Sequence, residues 1–528
     1  MSDPQTTITT AEEATTLLRA AHAKATAGNA KAALDAVQEI VPLFPNNVNV
    51  LHVAGMCLRD AGRSGDAQAM FERVFAITPR FHYTELEVAD LYALRGDVEA
   101  ARTWFARAIE TEPSHAPSYM RAAAFERGLG NHRSALLLLQ RAHELQPEDP
   151  DVARRLADVM LYHARREDAL LVLEAIVRSD RASDDTIVHY LRLCSEMGHY
   201  DRVLAWNDAT AATPPGKALH FHRSLMAGHA KLATRFVKDD ILREATARER
   251  SPRWFDGPAI ETALRVVIAN RQPFSLVRLG DGEGRFLCAT DPWLSEIVTA
   301  EEAATIGGSI WSNWFGHELT TISPPMIGRL RNQLEVSLEN ADVIGLPLAE
   351  RLNIDGYHFG YLAYLERHVS AVLVRRPAIA ATDAFVNLIL HRLSPFYRQV
   401  LAGLDFLGVI SPHPELATRL GGLFNIGELV SYVVPGEMRL PDHVRRQSGD
   451  GHFPGRFDAL MTNISVPRSG AVFLVAAGLL GKIYCARIKQ LGGIAIDVGS
   501  VVDAWMGYNT RPGQFDKRDD WTIPPTPR

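Results

Sequence analysis

The chain has 528 residues, is 47% hydrophobic and 22% charged, and carries a formal net charge of −6. This is the composition of an ordinary globular protein with room for two or three domains, and its negative balance argues against general affinity for nucleic acid or anionic membranes. The four scattered cysteines, which show no CxxC spacing, argue against a zinc site or a disulfide framework and suit a reducing compartment.

The two ends of the chain are polar. Residues 1–13 lack the apolar stretch of a secretory signal and are predicted to be disordered, and residues 510–528, rich in proline and charge, are predicted to form a flexible tail. The longest apolar run, residues 471–480, is too short to cross a bilayer. We therefore expect a cytoplasmic protein without membrane insertion.

Small residues and prolines recur with a 34-residue period over residues 14–217. The glycine set is Gly28, Gly62, Gly96, Gly130 and Gly198, with Ala164 in the fifth place. The alanine set is Ala33, Ala67, Ala101, Ala135 and Ala169, and the proline set is Pro45, Pro79, Pro113 and Pro147. Such a period is typical of stacked helical hairpins, with glycine at the turn, alanine where the two helices cross, and proline after the second helix.

This pattern resembles the tetratricopeptide repeat (TPR) and predicts six hairpins, followed by a capping helix or linker at residues 218–250. The units are residues 14–47, 48–81, 82–115, 116–149, 150–183 and 184–217. The resemblance implies an all-α solenoid whose concave face binds a protein or peptide. Groove positions are expected at His52, Arg59, Tyr83, Leu86 and Asp90. An oligomerisation arm or a rigid spacer is the alternative.

The period is lost between residues 251 and 509, where apolar strand-like runs alternate with helical patterns. This alternation predicts an α/β, Rossmann-like domain with a mostly parallel sheet that is covered on both faces. Ligands of such sheets bind at the carboxyl ends of the strands. The residues directly after each predicted strand are therefore the candidates for a functional site.

The first candidate segment follows the predicted strand at residues 274–279. Its members are Arg278, Gly280, Asp281, Gly282 and Glu283. Two carboxylates in a glycine-rich turn suit Mg²⁺ or Mn²⁺ bridging to a diphosphate, and Arg278 and Arg285 are placed to pair with phosphate oxygens. The alternative is a turn whose carboxylates cap a helix.

Two more segments lie near the end of the domain. Gly478 and Lys482 stand where a strand passes through a glycine loop into a helix, and a helix N-terminus with a lysine favours phosphate. Asp497 ends another predicted strand. The alternatives are plain helix packing for the first and a helix N-cap for the second.

Together the three segments resemble the glycosyltransferases of the GT-D fold, which carry an RxGDGE-like turn early and two glycine-containing segments late in the domain. The matching segments are Val277–Glu283, Ala477–Lys482 and Gly492–Gly499, and the resemblance covers about Trp254–Gly507. One departure is Ser500, where the family pattern has histidine, so no sugar or acceptor specificity is transferred.

The resemblance implies a sugar-nucleotide transferase in which Asp281 and Glu283 are the catalytic and metal-binding residues, with Mn²⁺ or Mg²⁺ as cofactor. The residues with an implied role in binding the donor or its phosphates are Arg278, Gly280, Gly282, Gly478, Lys482 and Asp497. The general base is not identified; His413, His452 and Glu437 lie in turns after predicted strands and are more typical of structural loop residues.

The combined expectation is a bacterial, cytoplasmic glycosyltransferase that moves a sugar from a nucleotide-sugar donor to a protein acceptor held by the TPR groove. One alternative is a non-catalytic TPR scaffold with a nucleotide-binding or assembly module. Another is a glycan-extending transferase whose repeats mediate oligomerisation. Nucleic acid is not an expected partner, and a homo-oligomer is compatible with the repeats.

Overall fold

The structure, a computed structural model, describes residues 8–27, 29–179, 181–211, 216–388, 396–445 and 451–511. Residues 1–7 of the predicted disordered start, Gly28, and nearly all of the predicted tail at 510–528 lie outside the described residues. The chain divides into two compact units, Met1–Tyr190 and Leu191–Arg528.

The first unit consists of helices joined in pairs by short turns. They are α1 (Ala11–Thr26), α2 (Ala30–Ile40), α3 (Val48–Asp60), α4 (Ser64–Ile77), α5 (His82–Leu94), α6 (Val98–Thr111), α7 (Ala116–Gly128), α8 (His132–Leu145), α9 (Pro150–Tyr162) and α10 (Arg166–Arg178). A further pair, α11 (Asp184–Met197) and α12 (Tyr200–Ala209), follows across the division. Helix α1 begins before the predicted start of the repeats because Thr10 and Glu13 form a capping box. The prediction of an all-α repeat region is confirmed.

The turn inside each pair requires a left-handed residue, as the glycine set predicts. Gly62, Gly96, Gly130 and Gly198 have φ between 77° and 79°, and Ala164 has φ 58° in the fifth place. The five residues of the alanine set are all fully buried. The two sets therefore mark the turn and the helix crossing of each hairpin.

Replacing Ala164 with Gly should stabilise the repeat region by about 0.5–1 kcal/mol, because a side chain at positive φ is strained and glycine is not. The matched control is Ala175→Gly, which makes the same exchange at an exposed position of α10 and should destabilise by a similar amount. Chemical denaturation of both variants shows whether each substitution raises or lowers the free energy of unfolding. A destabilised Ala164→Gly variant would contradict the assignment of this turn.

The positions expected in the groove differ in exposure. Tyr83 is exposed, but Leu86 is buried in an apolar cluster with Phe105, so its predicted place in the groove is wrong. Arg59 pairs with Glu87, a residue of the same helix as Leu86. Periodicity locates a helix face to within a residue or two, and Leu86 lies on the side that meets the next helix.

The second unit contains an eight-stranded sheet. Its strands are β1 (Trp254–Phe255), β2 (Phe274–Arg278), β3 (Val343–Leu346), β4 (Ala380–Asp383), β5 (Phe406–Ser411), β6 (Glu428–Val433), β7 (Val472–Val475) and β8 (Ile494–Asp497). They are ordered β1-β4-β3-β2-β8-β7-β5-β6, and all pairings among the described residues are parallel. The predicted parallel α/β architecture is confirmed, and the carboxyl ends of all strands lie at one edge.

Helices flank this sheet. They are α13 (Lys217–Ala233), α14 (Lys238–Glu249), α15 (Gly257–Ala269), α16 (Asp281–Ala289), α17 (Ala300–Phe315), α18 (Pro324–Glu339), α19 (Ala349–Ile354), α20 (Phe359–Arg375), α21 (Phe396–Leu401), α22 (Leu416–Phe424), α23 (Asp442–Arg445), α24 (Phe457–Asn463), α25 (Gly478–Gln490) and α26 (Val501–Trp505). No helix among the described residues is long and apolar enough to cross a membrane.

The sheet is covered on both faces. One apolar cluster joins it to α16, α18, α20 and α25, and another joins it to α15, α21, α22 and α26. Neighbouring residues of one strand enter different clusters, as Leu474 and Val475 do. This alternation is that of a strand buried on both sides.

The segment predicted as a cap and linker packs into the second unit. Helix α13 lies so close to α17 that a Cβ added at Gly228 would stand 2.9 Å from Ile306 Cδ1, and Lys231 Nζ lies 2.8 Å from Glu302 Oε1. In α14, Arg248 forms a buried ion pair with Glu366 of α20. Helices α13 and α14 therefore pack against α17 and α20 of the second unit.

Candidate functional site

The three predicted segments meet at the carboxyl edge of the sheet. Arg278 ends β2 and Asp497 ends β8, which is the neighbour of β2, while Gly478 follows β7 on the other side of β8. Arg278 and Asp497 are 219 residues apart in sequence, yet the Arg278 Nη2 atom lies 3.1 Å from Asp497 Oδ1. The fold thus brings together side chains that the sequence separates.

Four of the predicted residues form a buried charge cluster: Arg278, Glu283, Lys482 and Asp497. The Lys482 Nζ atom lies 2.7 Å from Glu283 Oε1 and 3.2 Å from Asp497 Oδ2. The side chains of Lys482 and Asp497 are only 5% and 4% exposed. With two cations and two anions, the cluster is electrically balanced.

The pKa values of the cluster follow from this balance. Burial alone lowers the pKa of Lys482, but Asp497 and Glu283 outweigh it and hold the pKa above its ordinary value. Burial raises the pKa of Asp497, and Arg278 and Lys482 outweigh it in the opposite direction. Both groups are therefore charged at neutral pH, and each depends on the other.

Arg278 uses most of its donors within the protein. Its Nε donates to Asp497 O at 2.9 Å, its Nη1 donates to Ala384 O and Asn387 Oδ1 at 2.9 Å, and its Nη2 donates to Asp497 Oδ1. Gly499 has no side chain to obstruct the guanidinium. In this structure Arg278 ties the loops after β4 and β8 to β2.

The two carboxylates of the first segment point to different surroundings. Helix α16 begins at Asp281, with Gly280 as its N-cap, and Glu283 Oε2 accepts a hydrogen bond from the Gly280 N–H at 2.9 Å. Glu283 therefore caps the helix and pairs with Lys482. Asp281, whose side chain is 33% exposed, lies outside the buried charge cluster.

Asp281 is surrounded by groups that we call the Asp281 rim: Arg351, Asp355 and His358. Arg351 Nη2 lies 3.0 Å and His358 Nε2 3.8 Å from the Asp281 carboxylate, and His358 Nδ1 lies 2.9 Å from Asp355 Oδ1. Burial raises the pKa of Asp281, but His358 and Arg351 outweigh it and hold it below its usual range. These residues were not predicted from the sequence, although they follow the correctly predicted strand β3.

Trp314 explains one of the predicted glycines. A Cβ at Gly282 would stand 2.6 Å from Trp314 Cζ2, so the missing side chain makes room for the half-buried indole. At Gly478 a Cβ would stand 3.7 Å from Trp314 Cδ1, which is an ordinary contact, and the glycine is required instead by its φ of 52°. At Gly280 a Cβ would meet only Glu283 Oε2, at 3.7 Å.

Of the two predicted metal ligands, Asp281 suits a divalent cation and Glu283 does not. The half-exposed carboxylate of Asp281 is a hard oxygen donor of the kind that Mg²⁺ and Mn²⁺ bind. Glu283 has one oxygen on Lys482 Nζ and the other on the Gly280 N–H, so it does not fit as placed. Among the described residues, no three His, Cys, Asp or Glu side chains are grouped to hold a metal.

The three loop residues considered as bases have other partners. His413 Nε2 lies 2.7 Å from Asp503 Oδ1, and both are buried. Glu437 pairs with Arg511. His452 is buried, and its Nε2 lies 3.1 Å from Tyr484 Oη.

His452 should make the second unit sensitive to acid. Burial, and after it Arg456, lowers the pKa of His452 to about 3, against about 6.5 for an exposed histidine. As the pH falls, the unfolded chain therefore binds a proton at this residue before the folded protein does. The contribution of His452 to the free energy of unfolding is complete above pH 6.5 and is lost as the pH falls toward 3. Between about pH 7 and pH 5 the free energy of unfolding should fall by about 2 kcal/mol through this residue. Denaturation of wild type and His452→Gln at both pH values measures it, and an equal fall in both proteins would contradict the assignment.

Comparison with known families finds one match within the second unit. Residues 258–435 match the family of GT-D fold-like domains, so the chain carries a GT-D-like domain there. The match includes Arg278, Asp281, Glu283 and the Asp281 rim, and it ends before Lys482 and Asp497. No curated protein matches the chain.

Several solved structures resemble part of the chain. PilF of Pseudomonas aeruginosa is 12% identical, with 40% of this chain and 96% of that chain covered and a TM-score of 0.30. MamA is 16% identical with 39% and 98% covered and a TM-score of 0.26, and a TPR protein of Thermus thermophilus is 20% identical with 34% and 98% covered and a TM-score of 0.29. These scores are low, and the assignment of the repeats rests on the hairpins themselves.

Proposed function

We propose that this protein is a glycosyltransferase that transfers a sugar from a nucleotide-sugar donor to an acceptor. The observation that carries the proposal is the GT-D-like domain at residues 258–435, whose Asp281 lies at the carboxyl edge of a parallel sheet among charged side chains. Such an edge is where open α/β sheets bind their ligands.

One residue of the Asp281 rim is a cation that a nucleotide diphosphate would contact. Arg351 is a half-buried guanidinium 3.0 Å from Asp281. Burial lowers the pKa of a second arginine, Arg511, but Glu437, with smaller contributions from Asp503 and Asp281, holds it above its ordinary value. Mn²⁺ or Mg²⁺ would be held by Asp281 and would neutralise the leaving diphosphate. Glu283 of the buried charge cluster lies in the first turn of α16, as Asp281 does, so the cluster fixes the helix that carries Asp281.

His358 is the best candidate for the general base, which was not identified from the sequence. Its Nδ1 lies 2.9 Å from Asp355 Oδ1, an arrangement that orients the ring and leaves Nε2 toward Asp281. A histidine held by a carboxylate in this way can accept the proton of an acceptor hydroxyl. Replacing Asp355 with Asn would then lower turnover without removing the base itself.

The acceptor in this proposal is a protein or peptide held by the TPR region in the cytoplasm. Glu87 pairs with Arg59 and Arg121, and Arg121 also pairs with Asp90, so these charges neutralise one another. Burial lowers the pKa of His52 to about 4, and the ring is neutral. A segment bound there would be recognised through exposed groups such as Tyr83 more than through its net charge.

A non-catalytic scaffold is the second candidate, and one observation favours it. Four predicted site residues satisfy each other in the buried charge cluster, which gives Glu283 and Lys482 a structural role without any ligand. Under this proposal the edge of the sheet would bind a nucleotide or only assemble with partners, and no sugar would be transferred.

A donor screen separates the two candidates. Purified protein is heated with a panel of nucleotide sugars, with and without Mn²⁺, and a donor at about 100 times its dissociation constant should add roughly 2.7 kcal/mol of stability. Release of nucleoside diphosphate from each stabilising donor is then measured with wild type and Asp355→Asn. Binding with turnover supports the transferase, and binding without turnover at any acceptor tested supports the scaffold.

A further inference from the structure

Arg285 is a buried arginine without a carboxylate partner. Among the described residues two arginines are more than nine-tenths buried, Arg248 and Arg285. Arg248 pairs with Glu366 at 3.0 Å, whereas no carboxylate of the described residues lies within ion-pair distance of Arg285. Its hydrogen bond is from Nη1 to Ser309 Oγ at 2.9 Å, and its Nε is buried without an acceptor.

A second buried polar group next to Arg285 also lacks a partner. The guanidinium carbon of Arg285 lies 5.0 Å from the centre of the Tyr361 ring, and the Tyr361 hydroxyl is buried without a hydrogen bond. His229 of α13 lies edge-on to the same ring at 4.5 Å. Burial, and after it Arg285, holds the pKa of His229 well below its ordinary value, so the ring adds no charge.

Helix packing fixes this group beside the candidate site. A Cβ at Gly284 would stand 2.8 Å from the backbone oxygen of Tyr361, so α16 and α20 are in close contact there. Asp281 and Arg285 are four residues apart on α16 and therefore lie on the same face of the helix. The side chain of Arg285 thus begins one helical turn after that of Asp281.

We propose that Arg285 and the hydroxyl of Tyr361 form an anion pocket that binds the diphosphate of the nucleotide-sugar donor, while Ser309 Oγ, which donates to Ile306 O, holds the guanidinium in place. A buried cation without a counter-ion and a buried hydroxyl without a hydrogen bond are unfavourable, and phosphoryl oxygens satisfy both with charge-assisted hydrogen bonds. The identity of the ligand as a donor rests on the proposed function. The pocket assigns the phosphate contact to Arg285, whereas Arg278 and Lys482 serve the buried charge cluster.

Calorimetric titration of the full chain with inorganic pyrophosphate tests the pocket. Wild type should bind, and Arg285→Gln should weaken binding by about 10-fold or more, since a charge-assisted contact is lost. Tyr361→Phe should weaken it by about 3- to 10-fold and should leave the melting temperature unchanged or raised, because the hydroxyl has no partner in the protein. Arg329→Gln is the matched control, since Arg329 is an exposed arginine paired with Asp458. It should bind like wild type.

The result that overturns the pocket is wild-type affinity in both Arg285→Gln and Tyr361→Phe, or no binding of pyrophosphate by wild type. If Arg285→Gln does not fold, Tyr361→Phe alone decides, because an aromatic ring of nearly the same shape remains. Pyrophosphate carries neither nucleoside nor sugar. An Arg285-dependent affinity without turnover of any nucleotide sugar would therefore keep the pocket and reject the transferase.

Discussion

Replacing Glu283 with Gln should lower the free energy of unfolding by about 3 kcal/mol, although the new side chain has nearly the same shape. Gln can still accept the Gly280 N–H, so the helix cap survives. What is lost is the negative charge 2.7 Å from the buried Lys482 Nζ. The buried charge cluster would then hold two cations and one anion, and an uncompensated buried charge is costly.

A second substitution should restore part of that loss. Lys482→Met alone leaves Glu283 and Asp497 with only Arg278 and should also cost about 3 kcal/mol. In the double variant Glu283→Gln/Lys482→Met the charges balance again, with the Arg278–Asp497 pair intact. The double variant should therefore be destabilised by clearly less than the sum of the single variants, with a coupling energy of about 2 kcal/mol.

Urea denaturation of wild type, both single variants and the double variant gives this coupling directly. Arg329→Gln, which removes one member of an exposed ion pair, is a control expected to change stability by about 0–1 kcal/mol. Additive effects of the two single variants would show that the charges do not interact, and the buried charge cluster would have to be abandoned as a structural unit.

The sequence was sufficient for the repeats because their marks are local. A left-handed turn residue and a small residue at a helix crossing each reflect one backbone requirement, and both recur with the 34-residue period. The strands β2, β3, β5, β6, β7 and β8 were likewise predictable as apolar runs. Strands β1 and β4 were missed, since β1 has two residues and β4 reads Ala-Ala-Thr-Asp, with little apolar signal.

The contacts at the site could be predicted only in part. The rule that ligand-binding residues follow strands located Arg278, Asp281, Lys482 and Asp497 at one edge. It did not predict that Asp281 and Glu283 have different partners. Both lie in the first turn of α16, where residues two apart are separated by about 200° around the helix axis and do not face each other. The direction of a side chain depends on where the helix begins, and the sequence predicted a glycine-rich turn, not a helix start, at these positions.

Asp281 and Glu283 face different sides of α16, and Glu283 is paired with Lys482. Donor turnover should therefore depend on Asp281. Replacing Asp281 with Asn should lower kcat/KM for the donor by about 100-fold or more, because it removes the exposed negative charge available to a cation at the diphosphate. Stability should change by only about 0–1 kcal/mol, since the side chain is 33% exposed and its ion pair with Arg351 is at the surface of the site. Glu283→Gln should show the reverse pattern, with a large loss of stability.

Steady-state release of nucleoside diphosphate at several Mn²⁺ concentrations, together with urea denaturation of the same samples, measures both patterns. Asp458→Asn is the matched control, because Asp458 is half exposed and pairs with one arginine, as Asp281 does with Arg351. It should keep wild-type turnover. In Asp281→Asn the residual activity should no longer respond to Mn²⁺, whereas an unchanged response would assign the cation to other oxygens. If Asp281→Asn turns over donor like wild type, the Asp281 rim is not the catalytic site. The two carboxylates of one short motif would then both be structural, Glu283 through Lys482 and Asp281 through Arg351.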